Sequence, residues 1–511
     1  MKIIIMDTTL RDGEQTSGVS FTATEKLNIA KLLLDELNVD RIEVASARVS
    51  EGEFRGACMI FDWAKQHGHL EKVEVLGFVD GAISLKWIRD AGGKVDNLLM
   101  KGSLNHCENQ LRKTPEQHIA DVKEVLHIAH DLGVRVNIYF EDWSNGMRHS
   151  PEYMYQVLDA LREESIGRFM LPDTLGILNQ QETYDFCMDM KNRYPELNFD
   201  FHAHNDYDLA TANVFSAIMA GISGIHTTVN GLGERAGNVP LSSVIGVVRD
   251  HFKYDMSVRE DRLFKVSKLI ESFSGIRIPA NKPLIGENVF TQTSGIHADG
   301  DQKKDLYFND LLPERFGRKR TYALGKMSGK ASILKNLEEL GIELGKEDTR
   351  LVTERVIELG DKKEIITKED LPYIISDVLR SKRVEEKIRI RNFQLSVARG
   401  LRSVATVAVE IDLEEYEETS SGDGQYDAFM KALWKIYDKL KKKHPVLTDY
   451  VVTIPPGGKT DALVECIITW NYEGNVFKTR GLDPDQTVSA IKATVRMLNI
   501  IETFSPKAES G

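Results

Sequence analysis

The sequence predicts an α/β protein with an N-terminal barrel of eight parallel strands, a mainly helical linker region and a C-terminal α+β domain. Two observations predict this architecture. Up to about residue 275, apolar β-branched runs alternate with helical stretches, as consecutive strand–helix units require. After residue 386, a block of strand-like runs, a turn-rich loop and a helix occurs twice, which indicates a domain with two pseudo-repeats.

Eight runs have the length and composition of barrel strands. They are residues 3–6, 41–45, 73–78, 95–100, 134–140, 168–171, 199–203 and 224–229. A capping box at residues 22–25 (TATE) opens the first helix. Eight strand–helix units within about 270 residues fit a (β/α)8 (TIM) barrel better than a doubly wound sheet. We therefore expect a barrel at residues 1–275, linker subdomains at 276–385 and a separate domain at 386–511.

The composition narrows the classes of function. The 511 residues are 41% hydrophobic and 28% charged, with a net charge of −12, which disfavours nucleic acid or an anionic membrane as the main partner. No run of about 18 apolar residues occurs, and the strand-like start leaves no room for a cleaved signal peptide. The four cysteines lack disulfide or metal spacing. A reducing cytoplasm suits them, so we expect a cytoplasmic protein.

Four short polar segments follow predicted strands and together outline a metal site. They are residues 9–13 (TLRDG), 139–141 (YFE), 202–206 (HAHND) and 230–238 (NGLGERAGN). The carboxyl ends of parallel barrel strands meet on one face, so these segments converge. An isolated pair such as His202 and His204 is more often structural, but Asp12 and Asn238 at neighbouring strand ends favour a metal site. Two imidazoles and a carboxylate suit a divalent transition metal, to which Asn238 could add a carbonyl oxygen.

Three charged residues beside these segments suggest chemistry at the metal. Arg11 would place a permanent positive charge where an oxyanion forms on a polarised ketone. Glu43, within the second run, either orients Arg11 or forms a structural Arg–Glu pair at the top of the barrel. Glu141 ends the fifth run and could act as an acid or base or anchor a substrate.

The sequence resembles a known family at these motifs. Residues 10–15 (LRDGEQ), 202–206 and 230–238 are similar to the signatures of the metal-dependent acyl-CoA Claisen-condensing enzymes. That family contains the 2-isopropylmalate, homocitrate and citramalate synthases and is related to the hydroxymethylglutaryl-CoA lyases. The resemblance covers almost the whole chain. It implies a homodimeric acyltransferase that uses acetyl-CoA and a divalent ion (Zn, Mn or Mg), with an effector-binding, dimerising C-terminal domain.

The resemblance also implies roles for individual residues. Arg11 matches the arginine that contacts the keto oxygen, and Glu43 matches the carboxylate that supports it. Thr174 matches a hydroxyl that binds the substrate carboxylate. Asp12, His202, His204 and Asn238 match the metal positions of the family.

Further matches concern proton transfer. Glu141 and His297 match residues implicated in deprotonating acetyl-CoA, and Tyr307 matches a tyrosine contributed by the linker region. His297 lies beyond the barrel and would have to reach over its mouth. One position departs from the family pattern: Met327 stands where relatives often have histidine, so no acid or base role transfers there.

The acceptor 2-oxo acid depends on three positions that match the family's substrate pocket, Leu76, Leu99 and Tyr139. Their bulk leaves little room beyond a methyl group and offers no cation, which favours pyruvate, with citramalate as product, in isoleucine biosynthesis. The alternatives are 2-oxoisovalerate, giving 2-isopropylmalate in leucine biosynthesis, an acyl-CoA lyase, and a non-catalytic amino-acid-sensing relative. The three side chains could also be ordinary barrel filling.

The C-terminal repeats suggest an effector site, because two loops each precede a helix whose N-terminus can meet a carboxylate. Isoleucine is the effector expected if citramalate is the product, and a dimerisation domain without ligand is the alternative. The candidate effector-binding residues are Tyr426, Asp427, Leu447, Tyr450, Ile454, Val464, Pro484 and Gln486.

Overall fold

The computed structural model describes residues 1–293, 309–361, 366, 368–379, 387–453 and 464–504. The chain divides into two compact units. The first contains Met1–Thr291 and Asn309–Arg320, and the second contains the remaining described residues, from Thr321 onward together with Gln292 and Thr293. Within the predicted linker region at 276–385, residues 276–291 and 309–320 belong to the first unit, and the described residues from 321 onward belong to the second.

The first unit is a barrel of eight parallel strands, which confirms the predicted fold class. Its strands are β1 (Lys2–Asp7), β2 (Arg41–Ser46), β3 (Val73–Phe78), β4 (Val95–Lys101), β5 (Arg135–Glu141), β6 (Ile166–Asp173), β7 (Phe199–Ala203) and β8 (Gly224–Thr227). Each strand pairs with the next, and β8 pairs with β1 to close the barrel. A short ninth strand, β9 (Asp255–Met256), pairs with β1 as well.

Helices connect the strands on the outside of the barrel. They are α1 (Ala23–Lys31), α2 (Glu51–Gln66), α3 (Ile83–Ala91), α4 (Pro115–Leu132), α5 (Trp143–His149), α6 (Pro151–Leu161), α7 (Gln180–Arg193), α8 (Ala210–Met219), α9 (Leu241–Gly246) and α10 (Glu260–Ser274). The predicted capping box is present at the start of α1, where the Thr22 side chain accepts from the Glu25 backbone N–H. It satisfies a helix-end donor that would otherwise lack a partner. None of the helices in the described part of the chain combines the length and apolar character needed to cross a membrane.

The barrel core lies between the strands and these helices. One apolar cluster includes Ile5, Ile42 and Val44 together with helix residues such as Ile29 and Leu33, all fully buried. Burial of such side chains contributes about 1.5–3 kcal/mol each and fixes which strand face points to the helices. Residues 309–320 pack onto this unit, because Arg315 forms ion pairs with Asp250 and Glu260.

The second unit begins with short elements around a small apolar core. They are β11 (Thr321–Tyr322), α11 (Lys330–Glu339), α12 (Lys346–Asp361) and α13 (Leu371–Leu379), and β10 (Thr291–Gln292) precedes them in the chain. Ile333, Leu337, Val352 and Val356 from α11 and α12 are buried against one another. Their helical spacing explains the packing, since residues four apart lie on the same face.

The C-terminal part consists of two similar blocks, as the sequence predicts. The first block is β12 (Ile388–Ser396), β13 (Ser403–Ile411), β14 (Glu414–Gly422) and α14 (Gln425–Lys439), and the second is β15 (Val446–Thr453), β16 (Val464–Tyr472), β17 (Asn475–Asp483) and α15 (Gln486–Phe504). Each block is a three-stranded antiparallel sheet followed by a helix. Phe429 of α14 and Trp470 of β16 are fully buried in one shared core.

Gly224 provides a test of the barrel packing. A Cβ atom at this position would lie 1.6 Å from Oδ1 of Asp200 on the neighbouring strand. We expect Gly224→Ala to lower the free energy of unfolding by about 3 kcal/mol through overpacking, as measured by urea denaturation. Gly52→Ala is the matched control, because the nearest atom to a Cβ there is the Ser50 hydroxyl at 3.6 Å. Equal unfolding midpoints for the two variants would contradict this packing.

Candidate metal centre and substrate cavity

Three side chains converge at the carboxyl end of the barrel. Asp12 lies just beyond β1, His202 lies in β7 and His204 follows it. Oδ2 of Asp12 is 3.1 Å from Nε2 of His202 and 3.7 Å from Nε2 of His204, and the two Nε2 atoms are 3.3 Å apart. All three residues are buried. They form the Asp–His–His group that the sequence predicts, with one ligand atom from each within 4.8 Å of the others.

The protonation states of the three groups suit a cation. Burial alone would raise the pKa of Asp12, but Arg11 and the two imidazoles outweigh it and hold this pKa well below its usual range. Burial lowers the pKa of His202 and lowers that of His204 to about 4, in spite of the Asp12 carboxylate. At neutral pH the site therefore offers a carboxylate and two neutral imidazoles, the forms in which these side chains bind metals.

Unpartnered atoms support the same conclusion. Within the described residues, Oδ1 of Asp12 and Oδ1 of Asn238 are buried without a hydrogen-bond partner. Buried polar atoms are nearly always satisfied, so these two oxygens indicate a position for a cation. Asn238 is paired through its backbone with His204, and its Nδ2 donates to the Leu232 carbonyl at 3.2 Å. The group fits a divalent ion, while a ligand role for Asn238 stays a prediction.

Arg11 is fixed beside this group by two carboxylates. Its Nε donates to Oε2 of Glu43, and its Nη1 donates to Oδ2 of Asp12 at 3.2 Å. Oε1 of Glu43 in turn accepts from Nδ2 of Asn97 at 2.7 Å. Burial would lower the pKa of Arg11, but Glu43 and Asp12 raise it above its usual value. The structure thus places Glu43 against Arg11, and Asn97 is a supporting residue that the sequence analysis missed.

A cavity of about 190 Å³ opens beside Arg11 and the Asp–His–His group. Its lining includes all five of the other barrel residues predicted to contact substrate. These are Leu76, Leu99, Tyr139, Glu141 and Thr174. Leu76, Leu99 and Tyr139 form a small apolar cluster with Met6 and Met170, separate from the main barrel core. The three proposed specificity positions therefore share one wall of one cavity.

Glu141 and Thr174 are both held by neighbouring groups. Glu141 forms an ion pair with Lys101, which lies opposite it at the end of β4. The Thr174 hydroxyl accepts from the Asp142 backbone N–H at 2.9 Å. Lys101 carries no motif in the sequence and became visible only through the pairing of β4 with β5.

Three further lining residues were missed, namely Gln15, Pro172 and Glu234. A signal existed for two of them, because Gln15 and Glu234 belong to the conspicuous segments 10–15 and 230–238. Arg11 and Asp12 of the first segment and Asn238 of the second were predicted as site residues. Gln15 and Glu234, which lie in the same segments, were not.

The remaining predicted residues lie elsewhere. His297, Tyr307 and Ile454 fall outside the described residues. In the C-terminal blocks, the rings of Tyr426 and Tyr450 lie 5.5 Å apart.

The other candidate effector residues that the structure describes each have their own contacts. The Gln486 amide interacts with the Tyr450 hydroxyl. Asp427 accepts from the Asp423 backbone N–H at 2.9 Å. Val464 pairs with Asp483 at the end of β17, and Leu447 is 38% exposed. Pro484 lies in the loop before α15, which begins at Gln486. A cavity of about 690 Å³ in this unit is lined by β12, α15 and the end of β17, and by none of the candidate effector residues that the structure describes.

Metal binding can be measured directly. We expect the protein to bind one Zn²⁺ or Mn²⁺ ion per chain, and His204→Gln to weaken this affinity at least about 100-fold by removing a ligand. Isothermal titration calorimetry measures both quantities. His127→Gln is the control, since His127 is 80% exposed on α4. Unchanged affinity in a folded His204→Gln protein would contradict the site.

Comparisons with known proteins agree with the geometry. The HMGL-like family model matches residues 2–270, the homocitrate synthase post-HMGL domain-like model matches residues 284–364, and the LeuA allosteric (dimerisation) domain model matches residues 365–502. A putative (R)-citramalate synthase of Methanopyrus kandleri is 34% identical over 504 residues, covering 98% of this chain and 96% of the relative. A probable 2-isopropylmalate synthase of the same organism is also 34% identical, over 507 residues and 98% of each chain.

The match extends along the whole chain in other relatives. The (R)-citramalate synthase of Methanocaldococcus jannaschii is 32% identical over 507 residues, covering 98% of this chain and 100% of the relative. Because relatives of both names match equally well, the choice of 2-oxo acid depends on the cavity rather than on overall identity. The chain is an acyltransferase-type condensing enzyme, and it belongs to the HMGL-like family, within the group of citramalate and 2-isopropylmalate synthases.

Proposed function

We propose that the protein catalyses (R)-citramalate synthesis, the condensation of acetyl-CoA with pyruvate followed by hydrolysis of the thioester. The observation that carries this proposal is the cavity of about 190 Å³ between the Asp–His–His group and the wall of Leu76, Leu99 and Tyr139. Each added methylene of the acceptor would have to enter an already filled apolar wall. Arg11 is the cation among the described lining residues, and it already forms ion pairs with Glu43 and Asp12. Among these lining residues, the distal carboxylate of 2-oxoglutarate therefore has no free cation with which to pair.

The residues of this site divide the work of the first step. A divalent ion held by Asp12, His202 and His204, with Asn238 as a possible fourth ligand, would polarise the ketone. Arg11 donates to the keto oxygen as negative charge develops there. Thr174 offers its hydroxyl to the pyruvate carboxylate.

Proton transfer completes the chemistry. A base removes a proton from the methyl group of acetyl-CoA, and that carbon forms the new bond to the keto carbon, whose oxygen finally takes up a proton. Glu141 and His297 are the proposed groups for deprotonation, and Tyr307 is a further proposed contributor. Water then cleaves the carbon–sulfur bond of the thioester, which gives a carboxylate and the CoA thiol. Lys101 keeps Glu141 in place at the rim of the cavity.

Regulation and assembly belong to the same proposal. The match of residues 365–502 to a LeuA allosteric (dimerisation) domain supports a homodimer with an amino-acid effector. Isoleucine is the proposed effector, since citramalate would lead to isoleucine, and Tyr426, Tyr450 and Gln486 are its proposed contacts. An effector of this kind acts only through different affinities for active and inactive states. All four cysteines are free, which supports the reducing cytoplasm as the site of action.

A panel of 2-oxo acids tests the proposed reaction. We expect CoA release from acetyl-CoA with pyruvate to exceed that with 2-oxoisovalerate by about 10- to 200-fold in kcat/KM, and isoleucine to inhibit it. Thiol detection of free CoA measures the rates. A higher kcat/KM with 2-oxoisovalerate would instead support 2-isopropylmalate synthesis, the alternative favoured by the second relative. Cleavage of an acyl-CoA without any condensation would support a lyase.

Leu99 tests the assignment of the cavity wall. We expect Leu99→Ala to raise kcat/KM for 2-oxoisovalerate about tenfold or more, because the space vacated admits a larger acceptor. Leu98→Val is the control, since the adjacent Leu98 points into the main barrel core and is fully buried there. It should lower stability without changing the ratio of the two substrates. An unchanged substrate ratio in Leu99→Ala would place the pocket elsewhere.

A further inference from the structure

A cluster of charges lies inside the barrel, below the substrate cavity. The carboxylate of Asp200 in β7 is fully buried and accepts from Arg41 of β2 and from Nε of Arg168 in β6, the latter at 2.6 Å. Burial would raise the pKa of Asp200, but the two guanidinium groups outweigh it and hold the pKa far below its usual range. Asp200 is therefore a permanent hydrogen-bond acceptor.

His226 of β8 connects this carboxylate to the cavity wall. Its Nε2 lies 3.2 Å from Oδ2 of Asp200, and its Nδ1 lies 3.4 Å from the hydroxyl oxygen of Tyr139. Because a carboxylate only accepts, Nε2 carries the hydrogen. Nδ1 is then an acceptor for the Tyr139 O–H.

Tyr139 ends this chain of hydrogen bonds at the cavity. Its side chain is nearly buried, and its ring centre lies 5.6 Å from that of His202 and 5.7 Å from the Arg11 guanidinium. Because the hydroxyl donates to Nδ1 of His226, the ring presents its apolar surface to the cavity. The Arg11 side chain is a second partner of this hydroxyl. Without the His226 bond, the hydroxyl would keep the Arg11 interaction alone, and the ring would be held from one side only.

A second chain of contacts links the same cluster to Arg11. Arg41 also donates to Glu74 at 3.1 Å, and Glu74 accepts from Asn137 at 3.4 Å. Nδ2 of Asn137 donates to Asn97 at 2.9 Å, and Asn97 donates to the Glu43 carboxylate that holds Arg11. Arg11 and Tyr139, which both line the cavity, are thus anchored in one buried network.

We propose that His226 is a specificity-determining positioning residue, which fixes the Tyr139 ring as a wall of the cavity by holding its hydroxyl in line with Asp200. This inference rests on the proposed condensation of a 2-oxo acid. His226 itself is not one of the residues that line the cavity and does not contact the substrate. Its effect is on the size of the acceptor, since a released Tyr139 ring no longer closes the space beyond the methyl group of pyruvate.

The test compares pyruvate with 2-oxobutyrate, which is one methylene longer. We expect His226→Phe to lower the ratio of kcat/KM for pyruvate over 2-oxobutyrate about three- to tenfold, the effect of one lost hydrogen bond. Tyr139→Phe should shift the ratio in the same direction, and the double variant should shift it no further than Tyr139→Phe alone, because Tyr139→Phe already removes the bond to His226. His226→Asn, whose amide oxygen can still accept from Tyr139, should keep more of the wild-type ratio. His251→Phe, at an exposed position beside Phe215, is the control.

A second measurement separates positioning from simple packing. Nitrogen-15 NMR of the histidine side chains should show His226 with hydrogen on Nε2, and its Nδ1 resonance should move in Tyr139→Phe. An unchanged substrate ratio in a folded His226→Phe or Tyr139→Phe enzyme, additive effects in the double variant, or hydrogen on Nδ1 would each overturn the inference alone. A wild-type protein that condenses none of the 2-oxo acids would instead overturn the proposed function, and the inference with it.

Discussion

Closure of the barrel between β8 and β1 is the constraint on which the site depends. β1 pairs with β8 over four residues, from Ile4 opposite Gly224 to Asp7 opposite Thr227. In an open sheet of the same strand order, six spacings of about 4.8 Å would separate β1 from β7 by about 29 Å. Closure instead brings Asp12 within 3.1 Å of His202. The strands are held in this arrangement by the apolar layer between them and the helices.

The charged interior of the barrel follows from the same closure. A buried carboxylate or guanidinium is tolerated only when it is paired, because an isolated charge away from water is strongly disfavoured. Arg41 on β2 reaches Asp200 on β7 because the sheet is closed, whereas Arg168 and Glu43 lie on strands that neighbour those of their partners, Asp200 and Arg11. These contacts are all made within the chain itself. Groups fixed in advance need little reorganisation when charge develops on a substrate, which is the usual origin of electrostatic catalysis.

Much of the fold was predictable because its signals are local. Apolar runs mark strands, the Thr22 capping box marks a helix start, and the repeated block at the C-terminus marks two similar sheets. The grouping of Asp12 with the two histidines was predictable for a related reason, since residues that follow parallel strands share one end of a barrel. The division of residues 276–385 between two units was not predictable, because the partners of Arg315 lie in distant helical segments.

The sequence by itself determined the barrel, its eight strands, the two C-terminal blocks and the identity of the groups at the metal centre, because periodicity and strand ends specify them. Tertiary structure alone decided which of the other polar side chains contact one another. Lys101 reaches Glu141 through strand pairing, and Asp200, His226 and Tyr139 form one chain across β7, β8 and β5. The physical reason is that such contacts depend on strand register and barrel curvature, which arise from the summed packing of the whole unit and leave no mark on any single segment.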